Sequence, residues 1–550
     1  MSLRAELIRA IADARDRAVT DGSLAIPSDV ELPAIGLEKP AKPEHGDWAS
    51  NVAMQLTPVA RTAPMRIAQI ISDHLDHHPA IAEASIAAPG FLNLRLDPRW
   101  VAGQVGPILD VEPSYGRETT THPRSINVEF VSANPTGPLH VGNARGAFVG
   151  DVLSRVLAAA GHQVTREYYF NDFGAQVINL GLSVLARRHS TDLPEDGYHG
   201  AYVEELAAEM PDELALRAAE TPDDAGILIG RWASERVRAG IEASLARLGV
   251  TFDVWKEESS LHDEGWVERA VTRLRESGHI HETDGATWFR STDFGDDKDR
   301  VIVRSNGQPT YFASDIGYVT EKFDRGFSEL IYIWGADHHG TVARVRNAAQ
   351  AMGYDREAVR MLLIAWVRFV RDGAEIPMSK RSGEFITLDD VLNEVGVDAA
   401  RWFFSSRAYT TGIDFDLELA KKQGNENPVY YVQYAHARAS SILRIAADAG
   451  LAPDASSAGE LLSHPAEQAL VHHLLDFPDA LAQAAERRET HEVPRYAYEL
   501  ATAFSAFYRD CKVLTDDVAL SSARLALVDA TRSVLANVLD LLGISAPDSM

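Results

Sequence analysis

The sequence has one cysteine and no long hydrophobic run, and each of these absences excludes a class of protein. With Cys511 as the single thiol, disulfides within the chain and Cys-x-x-Cys metal sites are impossible, so we expect a protein of the cytoplasm. No apolar run reaches the roughly 20 residues of a membrane-spanning helix. Residues 2–18 carry acidic side chains where a signal peptide has its apolar core. We expect no membrane partner.

Positive charge is also scarce. The 53 Lys and Arg residues stand against 80 Asp and Glu residues, which gives a net charge of −27. Because phosphate neutralisation by Lys and Arg supplies most non-specific affinity for nucleic acids, we expect no DNA partner. The distribution of charge matters more than its sum, since a large acidic protein can bind RNA through one basic face. Composition therefore leaves an RNA partner open.

A chain of 550 residues is too long for a single hydrophobic core. Residues 1–110 alternate helical stretches with turns and end in one or two strands, which indicates a small α+β domain. Residues 120–405 alternate strands and helices, with helical insertions at about 195–310. Residues 406–550 repeat apolar positions at three and four, which predicts a helical bundle. Three domains follow from this pattern.

One stretch of the middle domain predicts a βαβ unit. The β-branched run Ile126–Val131 leads through the turn Asn134-Pro-Thr-Gly-Pro138 into helical periodicity over Ala144–Ala160, and Gly161–Phe170 is a second strand. Two strands joined by a crossover helix pair in parallel. In such sheets ligands bind beyond the carboxyl ends of the strands, where free N–H groups at the helix start suit a phosphate.

Two short motifs become informative only as a pair. His140 and Asn143 lie at the predicted helix start, where a histidine is more often a cap or a packed residue than a catalyst. The basic loop Pro377–Gly383 would, by itself, be taken as a solvated turn. On one parallel sheet, however, the two loops can hold a triphosphate from both ends. His140 and Lys380 would then stabilise the charge on departing pyrophosphate, and loss of such a donor costs about 10²- to 10³-fold in rate.

The two motifs resemble the His-Ile-Gly-His and Lys-Met-Ser-Lys-Ser signatures of class I aminoacyl-tRNA synthetases. Asn143 stands where many members have His, and Pro377 replaces the first lysine. Within the class the chain resembles arginyl-tRNA synthetases over nearly its whole length. Seven further stretches carry the resemblance: Gly46-Asp-Trp-Ala-Ser-Asn51, Pro89-Gly-Phe-Leu-Asn93, Phe130-Val-Ser-Ala-Asn-Pro135, Asn171-Asp-Phe-Gly-Ala-Gln176, Asp398-Ala-Ala-Arg-Trp402, Tyr434-Ala-His-Ala-Arg438 and Leu541-Leu-Gly-Ile-Ser-Ala-Pro547.

The resemblance implies a multidomain α/β fold. It comprises a Rossmann-like parallel-sheet catalytic domain with helical insertions, a small α+β N-terminal domain that binds tRNA, and an all-α C-terminal bundle that binds the anticodon. The implied activity is ATP-dependent conversion of L-arginine to arginyl-adenylate and transfer of the arginyl group to the 3′ end of tRNA(Arg). Mg²⁺ is expected with the ATP, and no metal site of the protein's own is expected. The resemblance also implies a requirement for tRNA during activation, and we expect a monomer.

The resemblance also assigns site residues. The catalytic residues it implies are His140, Asn143 and Lys380. The ATP-binding residues it implies are His140, Gly142, Asn143, Gly335, Asp337, Met378, Ser379, Lys380 and Arg381. The arginine-binding residues it implies are Glu129, Ser132, Asn134, Tyr311, Asp315 and His338. A guanidinium has five donors in a plane, so its pocket requires carboxylates and other acceptors. Without the resemblance, Asp315 would be taken as a helix cap. His338 stands where many members have Gln.

Two alternatives stay open. One is a class I synthetase for another amino acid, although the chain lacks room for the editing insertion of the Ile, Val and Leu enzymes and lacks cysteines for a zinc site. The other is a non-catalytic tRNA-binding paralogue, which would be expected to lose signature residues, whereas His140, Gly142 and Lys380 are all present. The basic and aromatic residues of the last helices fit an unpaired anticodon, and they equally fit a solvated bundle.

Overall fold

The computed structural model describes residues 2–27, 29–75, 78–376 and 388–550. Among these residues no helix is both long enough and apolar enough to span a bilayer.

The N-terminal part packs helices on an antiparallel sheet. Its elements are α1 Leu3–Thr20, β1 Trp48–Ser50, α2 Val52–Ala60, α3 Pro64–Asp73, β2 Ile81–Ala87, β3 Phe91–Leu96, α4 Pro98–Gly103 and α5 Val105–Asp110. The sheet has the order β1-β3-β2. In α1 the buried residues Leu3, Leu7, Ile11 and Ala14 recur at steps of four and three, which is why this segment forms a helix with one core-facing side.

The middle of the chain alternates strands and helices. In chain order its elements are β4 Ser125–Glu129, α6 Val141–Ala159, β5 Gln163–Phe170, α7 Ala175–Arg188, α8 Ala201–Glu209, α9 Asp212–Glu220, α10 Ala225–Arg247, β6 Val254–Glu257, α11 Glu258–Asp263, α12 Trp266–Glu276, β7 Ile280–Thr283, β8 Ala286–Phe289, β9 Arg300–Val303, α13 Tyr311–Asp324, β10 Glu329–Gly335, α14 His339–Ala351, β11 Val359–Ile364, β12 Val367–Arg371, β13 Ala374–Glu375, α15 Leu388–Val395 and α16 Val397–Ser405.

A parallel sheet of order β11-β10-β4-β5-β6 forms the centre of the molecule. The chain moves outward from β4 through β5 to β6, then returns to place β10 on the other side of β4. Strand order therefore reverses between β4 and β10. In doubly wound sheets this reversal opens a crevice at the carboxyl ends of the strands, where ligands bind. The predicted α/β architecture with a Rossmann-like sheet is confirmed.

Two strand predictions need correction in detail. The apolar sequence Met361–Val370 predicts one strand, but the structure divides it: β11 belongs to the central sheet, while β12 lies in a second sheet between β13 and β14, which spans Ile413–Asp416. Residues 195–310, predicted as insertions, contain β6 of the central sheet as well as the separate antiparallel sheet β7-β8-β9. The four residues of β6, Val-Trp-Lys-Glu, are only half-buried at a sheet edge, so their hydropathy is not that of a core strand.

The C-terminal part is a bundle of helices. Its elements are β14 Ile413–Asp416, α17 Leu417–Lys421, α18 Pro428–Asp448, α19 Ala458–Leu461, α20 Pro465–Arg487, α21 Glu492–Asp510 and α22 Val518–Leu542. The domain boundary predicted at residue 406 precedes β14, which pairs in parallel with β12 of the middle region. The purely helical part therefore begins with α17.

Candidate active site

A cavity of about 1000 Å³ opens at the carboxyl ends of β4, β10 and β11, where the strand order reverses. Eight residues predicted from the sequence line it: Ser132, Asn134, His140, Gly142, Asn143, Gly335, Asp337 and His338. Tyr198, His199 and Tyr202 close one side from the segment that leads into α8. The predicted ATP loops after β4 and β10 thus share one space.

The start of α6 is held by a reciprocal cap. His140 is the N-cap, and its Nδ1 accepts a hydrogen bond from the Gly142 amide at 3.0 Å, while Asn143 Oδ1 accepts from the His140 amide at 3.3 Å. An added side chain at Gly142 would begin 2.8 Å from the His140 ring, so only glycine allows the ring to fold back. Because Nδ1 accepts, the ring proton is on Nε2, and the imidazole is a donor on that side. Capping and ligand binding are therefore compatible roles for His140.

The backbone after β4 is strained beside the cavity. Val131 has φ 68° and Ser132 has φ 40°, a left-handed region that is rare for a β-branched residue. Ser132 Oγ holds this turn, because it accepts from the Tyr169 amide at 3.1 Å and donates to Glu129 Oε1 at 3.2 Å. Tyr168 adds a hydrogen bond from its hydroxyl to the Ala133 carbonyl at 2.9 Å. Such strain costs about 1–3 kcal/mol and is typical of ligand-binding sites.

Behind this turn, three polar side chains lie in register across the sheet. Glu129 of β4 is paired with Glu167 of β5 on one side and with Tyr332 of β10 on the other. All three are buried. The Lys322 ammonium lies 2.7 Å from Glu129 Oε2 and 3.8 Å from Glu167 Oε1. Arg325 completes the neutralisation of Glu167 with hydrogen bonds of 2.8 and 2.6 Å.

A second set of carboxylates has no cation. Burial raises the pKa of Asp315 to about 7, with repulsion from Glu129 and Glu258 adding to the effect. Burial likewise raises the pKa of Glu258 to about 7, although the Tyr169 hydroxyl donates to it and opposes the shift. Among the described residues, neither carboxylate has an ion pair. One buried and one half-buried carboxylate without a counter-ion can receive a cationic group.

Helix α13 supplies one face of this pocket. Its polar and aromatic residues recur at steps of four and three and therefore lie on one side of the helix. The members of this stripe are Tyr311, Asp315, Tyr318, Lys322 and Arg325. Tyr311 begins it at the surface, where its side chain is 69% exposed and its hydroxyl lies about 4.0 Å from the ideal Cβ position of Gly174. Lys322 lies deep inside, with a fully buried side chain.

Comparison with known families covers the chain in three parts. Residues 2–96 match the family model "Arginyl tRNA synthetase N terminal domain", residues 104–196 and 231–405 match "tRNA synthetases class I (R), catalytic domain", and residues 432–550 match "DALR anticodon binding domain".

Whole-chain relatives agree with these matches. An arginine–tRNA ligase of Moorella thermoacetica is 46% identical over 99% of this chain and 98% of its own, and one of Desulforudis audaxviator is 46% identical over 100% and 99%. The chain belongs to the arginyl-tRNA synthetase family. The solved arginyl-tRNA synthetase of Thermus thermophilus superposes with a TM-score of 0.79 at 27% identity, covering 100% of both chains.

The predicted site residues fall into two groups in this family member. Those for ATP that belong to the described residues line the cavity, as do Ser132, Asn134 and His338. Glu129 instead lies buried next to it, joined to the cavity by the hydrogen bond from Ser132, and the half-buried Asp315 lies close enough to Glu129 for their charges to repel. His338 is half-exposed, and its ring packs against Trp334 with centroids 5.4 Å apart. Met378, Ser379, Lys380 and Arg381 lie outside the described residues.

Sequence reasoning missed Glu258, Tyr169 and Lys322. Glu258 follows directly on β6, so it lies at the carboxyl end of a central strand, but this position is recognisable only once β6 itself is recognised. The side chain of Asp172 fixes the start of α11 by accepting from the Ser259 amide at 2.9 Å and the Ser259 hydroxyl at 2.6 Å. For Lys322 the sequence did offer an indication, because its spacing from Asp315 places it on the same side of α13 as that predicted site residue.

The matched anticodon-binding domain contains one basic and aromatic cluster. Tyr430 and Tyr434 stack with an interplanar angle of 8°. The Arg438 guanidinium lies 4.6 Å from the Tyr434 ring centroid and 4.8 Å from that of Tyr508. Stacked rings beside an arginine can hold an unpaired base and its phosphate.

Proposed function

We propose that this family member is an arginine–tRNA ligase that activates L-arginine with ATP and transfers the arginyl group to the 3′ end of tRNA(Arg). The observation that carries the proposal is the pair of carboxylates Asp315, which is half-buried, and Glu258, which is buried; neither has a cation partner among the described residues. They adjoin a cavity that begins at a helix N-terminus. A cationic amino acid and a polyphosphate are therefore accommodated next to each other.

Arginine would bind through both of its positive groups. The guanidinium would pair with Asp315 and Glu258, while Tyr311 at the pocket entrance covers the side chain. The α-ammonium would bind Glu129, and Asn134 and Ser132 at the strained turn would orient the α-carboxylate. A lysine ammonium is a compact point charge that cannot hydrogen-bond in the planar geometry of a guanidinium, so such a pocket favours arginine over lysine.

ATP would occupy the cavity, with its phosphates at the start of α6. His140 Nε2–H and the positive end of the helix dipole would stabilise the phosphates, with Gly335 and Asp337 beside the adenosine. Lys380, with Met378, Ser379 and Arg381, is proposed for the pyrophosphate end on the sequence motif alone. The arginine carboxylate attacks the α-phosphorus, the bond to pyrophosphate breaks, and no covalent enzyme intermediate forms.

Mg²⁺ is proposed to accompany ATP. Asp337 is the one carboxylate among the described residues that line the cavity, and its side chain is 82% exposed. This fits an ion held mainly by phosphate oxygens and water, as Mg²⁺ is in nucleotide sites. When bound, the ion would neutralise phosphate charge.

In the second step a terminal ribose hydroxyl of tRNA(Arg) takes the arginyl group from the adenylate. The helical C-terminal domain would hold the anticodon through the cluster around Arg438, and the N-terminal domain would bind tRNA elsewhere. Activation of arginine is proposed to require this bound tRNA. We further propose that the protein is a monomer and works in the cytoplasm, where its single thiol, Cys511, stays reduced.

Amino-acid-dependent ATP–pyrophosphate exchange tests the proposal. It would be measured with each of the twenty amino acids, with and without tRNA. We expect exchange with arginine alone, and only when tRNA is present. Exchange with lysine but not arginine would overturn the pocket assignment, and absence of exchange with every amino acid would favour a non-catalytic tRNA-binding paralogue. Exchange with arginine in the absence of tRNA would remove only the proposed tRNA requirement.

A further inference from the structure

The side chain of Lys322 lies beneath the proposed arginine pocket and is not among the described residues that line the cavity. It is fully buried, which is rare for lysine and requires compensation of its charge. Its ammonium lies 4.0 Å from the ring centroids of both Tyr318 and Tyr332. Two ring faces and two carboxylates therefore surround one cation.

The register of the sheet makes this lysine necessary. Glu129 and Glu167 stand directly opposite each other on β4 and β5, and like charges in that position repel. Glu167 has its own partners, since Asn127 donates to Oε2 at 3.0 Å and Arg325 donates to both oxygens. Glu129 has one cation within ion-pair distance among the described residues, and that cation is Lys322.

Both oxygens of Glu129 are thereby fixed in direction. Lys322 donates to Oε2 at 2.7 Å from the side of α13, and Ser132 donates to Oε1 at 3.2 Å from the turn beside the cavity. A carboxylate held at both oxygens has lost its rotational freedom before a ligand arrives. The remaining lone pairs of Glu129 have a fixed direction and can accept from an ammonium group.

We propose that Lys322 is a positioning residue, which orients the Glu129 carboxylate and keeps it anionic so that it binds the α-ammonium of arginine. This inference rests on the proposed function. Lys322 does not touch the amino acid, and it acts through Glu129 alone. Burial raises the pKa of Glu129, and Lys322 is the strongest influence in the opposite direction.

The test compares arginine with 5-guanidinopentanoate, the analogue that lacks only the α-amino group. Calorimetric titration of the full chain gives the ratio of the two dissociation constants. We expect the wild-type chain to prefer arginine by about 10- to 100-fold, since one charge-assisted hydrogen bond is at stake. In Lys322→Met this preference should fall at least about tenfold, mainly through weaker arginine binding.

If Lys322 had only a structural role, Lys322→Met would weaken the binding of both ligands by the same factor. That result, in a variant that is folded, would overturn the inference. Should Lys322→Met not fold, Lys322→Arg and Lys322→Gln decide the question. The arginine variant keeps the charge and should keep most of the preference, whereas the glutamine variant keeps a donor without the charge and should lose it. If Lys322→Arg and Lys322→Gln preferred arginine over 5-guanidinopentanoate to the same extent, the inference would also be overturned.

Lys256→Met is the matched control. Lys256 of β6 is nearly buried, and its ion pairs among the described residues are with Glu321 of α13 at 3.4 Å and with Glu264 at 3.6 Å, not with Glu129. Its removal should leave the preference for the α-amino group unchanged. Failure of the wild-type chain to bind arginine would instead contradict the proposed function, which separates the two hypotheses.

Discussion

At the residue scale, the acidic pocket gives a prediction about pH. The pKa of Asp315 and that of Glu258 are both raised to about 7 by burial, so the ligand-free protein carries a proton there near neutrality. A guanidinium binds the ionised carboxylates, which means that arginine binding releases protons. The affinity for arginine should therefore rise as the pH rises from about 6 to about 8, and fall as the pH drops through about 7. Calorimetry in buffers of different ionisation enthalpy would measure the released protons.

Asp315→Asn tests the same carboxylate by mutation. The amide cannot carry charge, so arginine binding should weaken by about 1.5–3 kcal/mol, and proton release should decrease. Asp324→Asn, on the exposed end of α13, should change neither quantity. Unaltered arginine affinity in Asp315→Asn would contradict its place in the pocket.

Sequence reasoning found the residues whose chemistry is local and missed those that depend on the fold. His140, Gly142 and Asn143 are adjacent in sequence, and the cap that joins them forms within one helical turn. Glu258 meets Asp315 and Glu129 only because three separate elements converge. Lys322 resembles any surface lysine of an amphipathic helix until the sheet places a carboxylate 2.7 Å from its ammonium.

At the element scale, buried strands were the easiest part of the fold to predict. β4 and β5 lie within a few residues of the strands predicted at Ile126–Val131 and Gly161–Phe170, and the apolar run Leu330–Trp334 likewise predicts β10. The edge strand β6 was not predicted, because its half-exposed residues lack an apolar pattern. The pairing of β12 with β14 joins segments more than 40 residues apart, and nothing in the local sequence encodes it.

The insertion that borders the cavity depends on a close approach of α7 and α10. A side chain at Gly230 would begin 2.1 Å from the Val177 carbonyl oxygen, whereas one at Gly240, on the same helix, would meet nothing within 4 Å. Gly230→Ala must push the helices apart, and we expect a loss of about 1–3 kcal/mol in the free energy of unfolding. Gly240→Ala should instead stabilise the helix by up to about 1 kcal/mol.

Thermal unfolding of the two glycine variants gives a paired measurement with opposite expected signs. A stabilisation of the same size in both would show that helix propensity, and not the contact between α7 and α10, governs these positions. Because Tyr202 of α8 donates to the Thr136 carbonyl at 2.7 Å, Gly230→Ala should also weaken ATP binding, and Gly240→Ala should not.

At the scale of the whole molecule, two buried arginines connect the catalytic sheet to the C-terminal bundle. Arg488, at the end of α20, donates to both oxygens of Glu329 at 2.7 Å, at the first residue of β10. Arg401 of α16 donates to the Leu542 carbonyl at 2.6 Å, to the Leu248 carbonyl at 2.7 Å and to Asp151 of α6. The region that matches an anticodon-binding family is thus bonded to the catalytic region at two separate points, through Glu329 of β10 and through Arg401 of α16.

Arg401→Met should uncouple these parts. The substitution removes the donor to the last turn of α22. It also leaves the buried Asp151 with only the partly exposed Arg155 and Arg166 as partners, so we expect the free energy of unfolding to fall by about 3 kcal/mol or more. Calorimetry should resolve two transitions in place of one, since the C-terminal bundle loses one of its two buried arginine connections and keeps only Arg488 with Glu329. Arg532→Met is the control. It removes a half-exposed ion pair between Arg532 and Asp529, both on α22, and should lower the free energy of unfolding by at most about 1 kcal/mol. A single transition at the wild-type temperature in Arg401→Met would show that Arg401 is not needed to join the domains.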